Sequence, residues 1–531
     1  MSSSLAALGL SPSAYLFLIL GLVPAYFVCL CIYRVWLHPL AKFPGPPLAK
    51  VTNLYAAYHA WKGDLHIDMW KSHEKYGNYV RYAPGRVMFN TNTGLKEIYG
   101  YSKNYQKSAN YGAMVHRAPN TLTLIDKKAH GRKRRILSQG LSEAALRSYQ
   151  PTILTHIRKL CAQLEGESEM LKSDYESSKW SIAQNMGRWA NYLTFDIMSD
   201  VIFGEGFGLL ENPHNREVVQ CIEDSNVRTG VLVQAPEVAT CRIDRRLFPN
   251  AILGRNKFIR FVNGLLKRRM QVQPLKRHDV FSGLLDAKDP ETGDGLAPAE
   301  IGAESTTMII AGSDTSSTSI ASTLFYLSRH PKVYAKANEE VRAAFSGPDD
   351  VGLGATLNSC TYLRACIDES LRMSPPAGSA LWREVCADGV TIDGHSMPKG
   401  YDVGTCIYAI HHNEAYYPEP FAYLPERWLQ EGTSDGKSEA VVLARSAFSP
   451  FSIGPRSCLG KGLANTELML TMAFILSKFD FRIAPGAEEV GGGKSDGEYG
   501  RHREKEYQMR DHITMVKDGP ILQFSRRQVD L

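Results

Sequence analysis

The chain has 531 residues, of which 44% are hydrophobic and 22% are charged, and its formal net charge is +6. This length allows one large unit with a single core or two to three domains, and the composition is that of a globular protein. The ten cysteines show no Cys-x-x-Cys spacing, which argues against a zinc site or a disulfide framework and favours a reducing compartment. Basic residues are dispersed outside Lys127 to Arg135, which argues against nucleic-acid binding.

The first segment of the chain is apolar and uncharged. No charged side chain precedes Arg34, and Ala14 to Tyr33 are almost all apolar. About 20 helical residues span the ~30 Å core of a bilayer, so residues 1–36 are predicted to form a single membrane anchor. A cleaved signal peptide is the alternative, but the apolar run is too long and no Ala-x-Ala site follows it. Because basic residues follow the span and none precedes it, the bulk of the protein is expected to be cytosolic.

Four prolines between residues 39 and 47 make the next segment stiff and non-helical. This composition predicts a hinge over residues 37–50, followed by the main domain over residues 51–531. At the start of that domain, the patterns predict helix from Tyr55 to Tyr76 and a β-hairpin from Tyr79 to Asn90.

The densest basic run, His130 to Arg135, is predicted to lead into a helix from Ile136 to Tyr149. His130 and Arg134 are four residues apart and therefore share one helix face. Runs of charge are usually solvated helix faces, and this interpretation stays open on the residues alone. Further helices are predicted at Pro151 to Glu165, Trp180 to Phe203 and Asn256 to Gln271.

The longest apolar helical pattern runs from Pro298 to Arg329, with its proline in the first turn, where proline fits. An apolar helix of this length is expected to pass through the core. Its middle, Ala311 to Ser319, is rich in glycine and hydroxyl residues, which weaken the helical ladder and permit a local widening. In such a gap, Asp314 beside Thr315 is a proton-handling pair. The alternative is that the hydroxyls bond back to helix carbonyls.

A later helix, predicted from Tyr362 to Met373, carries two opposite charges on one face. Glu369 and Arg372 are three residues apart, which places them side by side on the helix. A lone pair of this kind is usually a surface pair worth less than about 1 kcal/mol. The remaining patterns predict sheet over His395 to Ile410, an exposed loop over Gly486 to Arg503 and strands over His512 to Phe524.

The most informative stretch is Phe451 to Gly460, which places Cys458 just before a helical pattern from Lys461 to Phe479. Unpaired N–H groups and the positive end of the dipole at a helix start stabilise a thiolate, so Cys458 is well placed to ligate a metal. Arg456 offers a fork for a carboxylate, and Phe451 is placed to screen the sulfur from water. A small buried cysteine in a turn is the structural alternative.

This stretch resembles the haem-binding signature of the cytochrome P-450 family, Phe-x-x-Gly-x-Arg-x-Cys-x-Gly, at every fixed position. The resemblance implies a mainly α fold with small β-sheets, the cytochrome P-450 fold, after an N-terminal transmembrane helix. It also implies a haem whose iron takes Cys458 as its axial thiolate ligand. The other residues that the resemblance assigns to haem binding are Phe451, Arg456, Gly460, Arg383, Arg134 and His130.

Three more segments carry the resemblance. His130 and Arg134 occupy the positions of the family's Trp-x-x-x-Arg motif, with histidine in place of tryptophan. The segment from Ala311 resembles Ala-Gly-x-Asp-Thr-Thr, with serine as its last residue, and implies that Thr315 hydrogen-bonds dioxygen while Asp314 relays protons from solvent. Glu-x-x-Arg and the Pro-Glu-Arg-Trp segment that follows it imply a buried network of Glu369, Arg372 and Arg427.

The implied activity is insertion of one oxygen atom from dioxygen into a hydrophobic organic substrate, in the manner of fungal members that make secondary metabolites such as polyketides, terpenoids or alkaloids. Expected partners are an NADPH-cytochrome P-450 reductase, cytochrome b5 and the endoplasmic reticulum membrane, with the catalytic domain in the cytosol. A hydroxylase of small aromatic acids, a haem-thiolate isomerase or dehydratase that needs no dioxygen, and a non-catalytic haem binder stay open as alternatives.

Overall fold

The structure, a computed structural model, describes residues 12–101, 104–115, 118–170, 179–271, 279–429 and 438–527. Helices dominate this part of the chain, as predicted. In chain order they are α1 Pro12–Ile32, α2 Pro47–Val51, α3 Leu54–Lys62, α4 Leu65–Tyr76, α5 Asn92–Tyr99, α6 Lys127–Gln139, α7 Glu143–Met170, α8 Met186–Phe203, α9 Glu217–Gln234, α10 Ile243–Leu247, α11 Pro249–Gln271, α12 Val280–Asp286, α13 Pro298–Arg329, α14 Pro331–Ala344, α15 Ala355–Ser359, α16 Thr361–Met373, α17 Ile407–His411, α18 Glu439–Ala447 and α19 Lys461–Lys478.

The strands are short and form small sheets. They are β1 Tyr79–Ala83, β2 Arg86–Phe89, β3 Tyr105–Lys107, β4 Gln184–Asn185, β5 Arg383–Val385, β6 Val390–Ile392, β7 His395–Met397, β8 Asp402–Gly404, β9 Phe479–Ile483, β10 Arg510–His512, β11 Thr514–Val516 and β12 Ile521–Arg526. The largest sheet has the order β1-β2-β8-β5-β3, a three-stranded sheet has the order β4-β12-β9, and β6-β7 and β10-β11 are hairpins. The strands of the largest sheet are distant in sequence, so this sheet fastens the N-terminal part of the domain to residues beyond position 380.

Helix α13 is the axis of the core, and its predicted limits are confirmed. It packs on α8, α16 and α19, and its C-terminal half from Ile320 to Leu327 is fully buried on every side. The predicted widening in its middle is wrong, because the α-helix is continuous. The hydroxyls of Thr315, Thr318 and Ser319 instead donate to the carbonyl four residues earlier, at 2.7, 2.8 and 2.9 Å, so they satisfy themselves without opening the ladder.

Several predicted element limits are corrected by local chemistry. The basic run lies inside α6, because Asp126 caps this helix by accepting from the N–H of Ala129 at 2.7 Å. Residues 180–185 precede α8, and the last two form β4, so the chain there is not helical. Ile407 to His411 form helix rather than sheet, and this segment packs on α4 and α16 and is buried on all faces.

The C-terminal region is more ordered than its composition predicts. The segment from Gly486 to Arg503 is a loop, as predicted, but parts of it pack closely. A side chain on Gly493 would lie 2.5 Å from the carbonyl oxygen of Arg501, so backbones approach there at a distance that only glycine permits. The predicted strands follow, and the N–H of Met515 donates to the carbonyl of Pro376 at 3.1 Å.

Residues 37–50, which were predicted to form a non-helical hinge, pack against the domain, and the prediction is wrong at their end because Pro47 begins helix α2. Leu40 and Phe43 are fully buried, and the carbonyl of Pro44 accepts from the N–H of Arg81 in β1 at 2.7 Å. The predicted membrane span from Ala14 to Tyr33 lies partly outside the side chains that the structure describes. Within the described side chains, no helix is long and apolar enough to cross a membrane.

Candidate active site

The loop before α19 holds Cys458 in a fixed conformation. The N–H of Cys458 donates to the carbonyl of Phe451 at 2.8 Å, which closes the loop on itself. Gly454 has a φ of +70°, and a side chain there would lie 2.1 Å from the carbonyl oxygen of Tyr99. Glycine is required at this position both by the backbone conformation and by the close approach of the neighbouring chain. Gly460 has ordinary dihedrals and serves as the residue before the first turn of α19.

The sulfur of Cys458 is enclosed by the surrounding chain but keeps accessible surface, the combination expected of a group at the wall of an internal cavity. Burial raises the pKa of this thiol above its ordinary value. The backbone N–H groups of Gly460 and Lys461 and the charge of Arg134 act in the opposite direction. The helix start alone therefore does not ionise the sulfur, and a cation facing it would be needed to complete the thiolate site.

A pocket of about 560 Å³ adjoins the cysteine loop, and it is lined on several sides by basic side chains. Four of the predicted site residues meet there: His130 and Arg134 from α6, Arg383 from β5 and Arg456 from the loop itself. Arg134 donates to the carbonyl of Ser457 at 2.7 Å, next to the cysteine. Residues from three separate parts of the sequence therefore share one wall.

The N–H groups of these cations donate to neutral carbonyl groups. Arg456 donates to the carbonyls of Leu124 and Ile125 at 2.5 and 2.7 Å, and Arg383 donates to that of Trp382 at 3.1 Å and lies over the ring of Tyr99. Burial and then the charge of Arg383 lower the pKa of Arg456 to about 10.

A fourth buried cation, Lys107 in β3, was missed by the sequence reasoning. It is 5% exposed and donates to the carbonyls of Thr121 and Leu122. Burial and the charges of Arg383 and Arg456 hold its pKa well below the usual range, so it belongs to the same cluster. No motif marks Lys107, and the only signal in the sequence is a lysine at an inward position of a short strand. We define the basic cluster as Lys107, Arg134, Arg383 and Arg456.

Within the described ranges, no member of the basic cluster forms an ion pair with a carboxylate. Burial and the same four charges lower the pKa of His130 to about 3, so this imidazole is neutral and able to donate one hydrogen bond. Uncompensated cations that converge in a pocket predict an anionic ligand, and planar guanidinium groups fit carboxylates.

The middle of α13 presents a second wall of internal space. Ala311 is exposed, and Thr315, one turn later, is half-buried, although the turns that follow in this core helix are buried. The hydroxyl of Thr315 donates to the carbonyl of Ala311 at 2.7 Å. The glycine between them does not widen this space, since a side chain on Gly312 would meet Met198 Cε at 2.5 Å. Gly312 therefore allows α8 to pack against α13.

Asp314 lies away from the basic cluster, among polar groups of other elements. Its Oδ2 accepts from Asn226 in α9 at 3.3 Å and from Thr514 in β11 at 2.9 Å. Burial raises the pKa of this carboxyl, while the charge of Lys517 and these hydrogen bonds oppose the rise. The structure thus joins the acid to the helix α9 and to the C-terminal hairpin, which the sequence did not predict.

The predicted network of Glu369, Arg372 and Arg427 is confirmed. Arg372 donates two hydrogen bonds of 2.8 Å to the carboxylate of Glu369, and both side chains are fully buried. Arg427 and Trp428 add donors at 3.0 Å each. Burial by itself raises the pKa of Glu369, but the charge and hydrogen bonds of Arg372 outweigh it, so the net pKa is lowered and the carboxylate is ionised.

Comparison with known proteins agrees with this geometry. The model of the family described as Cytochrome P450 matches residues 43–491. Cytochrome P450 monooxygenase AKT7 of Alternaria alternata is 51% identical over 508 residues, which cover 95% of this chain and 96% of that protein. Cytochrome P450 monooxygenase poxM of Penicillium oxalicum is 48% identical over 502 residues, which cover 94% and 93% of the two chains.

Among solved structures, a crystal structure of a cytochrome P450 (CYP102L1) superimposes with a TM-score of 0.67. It covers 87% of this chain and 94% of that chain at 21% sequence identity, so this likeness supports the fold. The family carries a haem iron with a thiolate ligand and incorporates oxygen into its substrates. On the family match and the fungal relatives, this chain belongs to the cytochrome P450 family of haem-thiolate monooxygenases.

Proposed function

We propose that this monooxygenase binds haem between Cys458 and the Ala311 to Thr315 face of α13 and oxidises a hydrophobic fungal secondary metabolite. The observation that carries the proposal is the basic cluster, which lies beside a cysteine sulfur that the chain surrounds but leaves partly accessible. Haem has two carboxylates on one edge, and the cluster supplies buried donors that no protein carboxylate pairs in the described residues. The residues present therefore fit the group that the family implies.

In this proposal, Arg134, Arg383, Arg456 and Lys107 would hold the haem carboxylates, and neutral His130 would donate one further hydrogen bond. Cys458 would supply the thiolate ligand, Gly454 fixes the loop that presents it, and Phe451 and Gly460 would shape its surroundings. When bound, the haem iron supplies the activation of dioxygen. The chain contributes fixed donors and acceptors around the reacting centre, which lowers the cost of reorganisation.

The protein's own proton-handling groups are on α13. We infer that the Thr315 hydroxyl holds a water beside the oxygen molecule by accepting a hydrogen bond from it, and that the carboxyl of Asp314 passes protons toward this hydroxyl. Thr315 is half-buried, and its hydroxyl proton is donated to the carbonyl of Ala311. The oxygen lone pairs of this hydroxyl are therefore available as acceptors toward the cavity. The burial of Asp314 keeps its proton transfer separate from bulk solvent.

The substrate class and the partners are inferred from similarity and from the sequence. The fungal relatives at 45–51% identity are named as monooxygenases, which supports a role in making a hydrophobic secondary metabolite such as a polyketide, terpenoid or alkaloid. We further propose that residues 1–36 anchor the protein in the endoplasmic reticulum membrane and that residues 37–50 connect the anchor to a cytosolic domain. An NADPH-cytochrome P-450 reductase, with or without cytochrome b5, would supply the electrons.

The function is tested with purified holoprotein and a reductase under isotopically labelled dioxygen. We expect NADPH consumption that depends on an added hydrophobic substrate and a product that carries one labelled oxygen atom. Product that forms without dioxygen or reductase would instead indicate the isomerase alternative.

We expect Thr315→Val to keep the haem spectrum but to release more hydrogen peroxide per NADPH, because the hydroxyl that steers the protons is gone.

A change at Lys107 tests the basic cluster. We expect Lys107→Met to lose haem to a competing acceptor protein about tenfold faster, because one charge-assisted hydrogen bond to a carboxylate is removed. The matched control is Lys494→Met, since this lysine is exposed on the C-terminal loop. The measurement is the rate of haem transfer followed by absorbance. Equal rates in the two variants would exclude Lys107 from haem binding.

A further inference from the structure

A buried polar cluster lies behind the proposed proton-handling face of α13. Its centre is Lys517, the residue directly after β11, which is 5% exposed. The ammonium donates to Asn191 Oδ1 in α8 and to Ser317 Oγ in α13, at 2.7 Å each. The C-terminal hairpin therefore places a cation between the two helices that form the largest contact in the core.

This cation is linked to Asp314 through one intermediate residue. Ser317 Oγ, which accepts from the lysine, donates to the backbone carbonyl of Asp314 at 3.0 Å. The same hairpin also holds the carboxylate of Asp314 through Thr514, at 2.9 Å. Lys517 and Thr514 therefore both act on Asp314 from the C-terminal hairpin. Lys517 acts on the backbone carbonyl of Asp314 through Ser317, and Thr514 acts on its carboxylate.

The charges around Lys517 indicate what it stabilises. In the described part of the chain the ammonium forms no ion pair, and a buried unpaired charge is costly unless an opposite charge lies near. Burial lowers its pKa to about 8, while Asp314 and Glu223 of α9 raise it and Arg188 of α8 lowers it. Glu223 already pairs with Arg188 at 3.1 Å, so Asp314 is the buried acid whose charge is left to balance Lys517.

We propose that Lys517 is a positioning residue for Asp314, which favours the ionised form of this side chain and fixes its orientation on the helix turn that carries Thr315. This inference deepens the proposed function, because it gives the proton-relay acid a dedicated counter-charge from the C-terminal hairpin. The relay then depends on three packed elements, α8, α13 and the hairpin, and not on α13 alone.

The direction of the effect follows from the groups that face Asp314. Burial raises the pKa of this carboxyl and Lys517 is the largest opposing influence, with Thr514 and Asn226 also lowering it and Glu223 raising it. Removal of the ammonium therefore raises the pKa further, and the carboxyl stays protonated to higher pH. A carboxyl with a higher pKa is a weaker acid and gives up its proton less readily, so loss of the ammonium is expected to slow proton delivery by Asp314.

The test measures Asp314 directly, by infrared titration of the full-length holoprotein. The carboxyl band of protonated Asp314 is isolated by subtracting the spectrum of Asp314→Asn in the same background. Lys517→Gln removes the charge but keeps a side chain that can donate to Asn191 or Ser317, whereas Lys517→Arg keeps the charge. We expect the midpoint for Asp314 to move up by about 1 pH unit in the glutamine variant and to change little in the arginine variant.

A second variant, Asn191→Ala, is measured in case Lys517→Gln does not fold. Asn191→Ala leaves the charge but removes one of the two acceptors of the ammonium, so the midpoint is expected to move in the same direction by a smaller amount. An unchanged midpoint in the folded glutamine variant, or in Asn191→Ala if that is the one that folds, would overturn the proposal. The readout does not depend on turnover, so a protein without a thiolate-type spectrum would contradict the proposed function while the titration still tested Lys517.

Discussion

Cys458→Ser is expected to abolish the absorption band that thiolate ligation gives to the reduced, carbon-monoxide-bound haem protein, and to lower monooxygenase turnover by at least about a hundredfold. A serine hydroxyl is a much weaker ligand than a thiolate and is not ionised at neutral pH. The loop itself should persist, because its closing hydrogen bond from the N–H of residue 458 to the carbonyl of Phe451 does not involve the sulfur. The measurement is the carbon-monoxide difference spectrum, normalised to haem content.

The matched control for this prediction is Cys386→Ser. Cys386 is a partly accessible free cysteine just after β5, and its thiol donates to the carbonyl of Glu384 at 3.6 Å. The same atom replacement there should leave the band and the turnover unchanged. If Cys458→Ser keeps a thiolate-type band, another residue is the iron ligand, and the placement of haem proposed for this chain is wrong.

Arg372→Met is expected to cost about 3–5 kcal/mol of unfolding free energy, the largest effect on stability of any single change proposed for this chain. The guanidinium is fully buried, and its loss leaves the carboxylate of Glu369 with a weaker set of donors. It also leaves the carbonyls of His411 and Pro420 without the donors that now lie at 2.7 and 2.8 Å. Buried polar groups that lose their partners carry the full cost of desolvation.

The comparison variant is Arg147→Met, which removes an arginine that pairs with Glu143 at i, i+4 on the surface of α7. Both side chains of that pair are largely exposed, so the expected loss is below about 0.5 kcal/mol. Urea unfolding followed by far-ultraviolet circular dichroism measures both variants, and haem content gives a second readout. Equal midpoints for the two variants would show that the buried network contributes nothing special to the fold.

The sequence predicted those features that depend on local patterns. The limits of α13 followed from its apolar periodicity and its N-terminal proline, and the Cys458 loop followed from a fixed spacing of five residue types. The Glu369 network was also anticipated, since its motif has a partner segment downstream. The first two signals lie in consecutive residues, whereas the network was implied by the family resemblance.

The predictions that failed depended on individual hydrogen bonds and on burial, which the residue patterns do not reveal. The middle of α13 was expected to open, but its hydroxyls satisfy themselves on the helix, and Gly312 makes room for Met198 of α8 rather than for a ligand. The start of α6 is set by the cap at Asp126, whereas the prediction placed the start of this helix after the run of basic residues. Sheet was predicted where α17 forms, because burial on all faces erases the periodicity that distinguishes helix from strand.

The sequence by itself determined the family, the cysteine at its centre and the long core helix, because motif spacing and hydrophobic periodicity are properties of consecutive residues. Only the tertiary structure decided that Lys107 is buried close to three arginines and that Lys517 lies behind Asp314. Lysines in short strands or turns carry no local signal of burial. Their roles arise when elements hundreds of residues apart bring them into low-dielectric surroundings, where an unpaired charge strongly favours a partner of opposite sign.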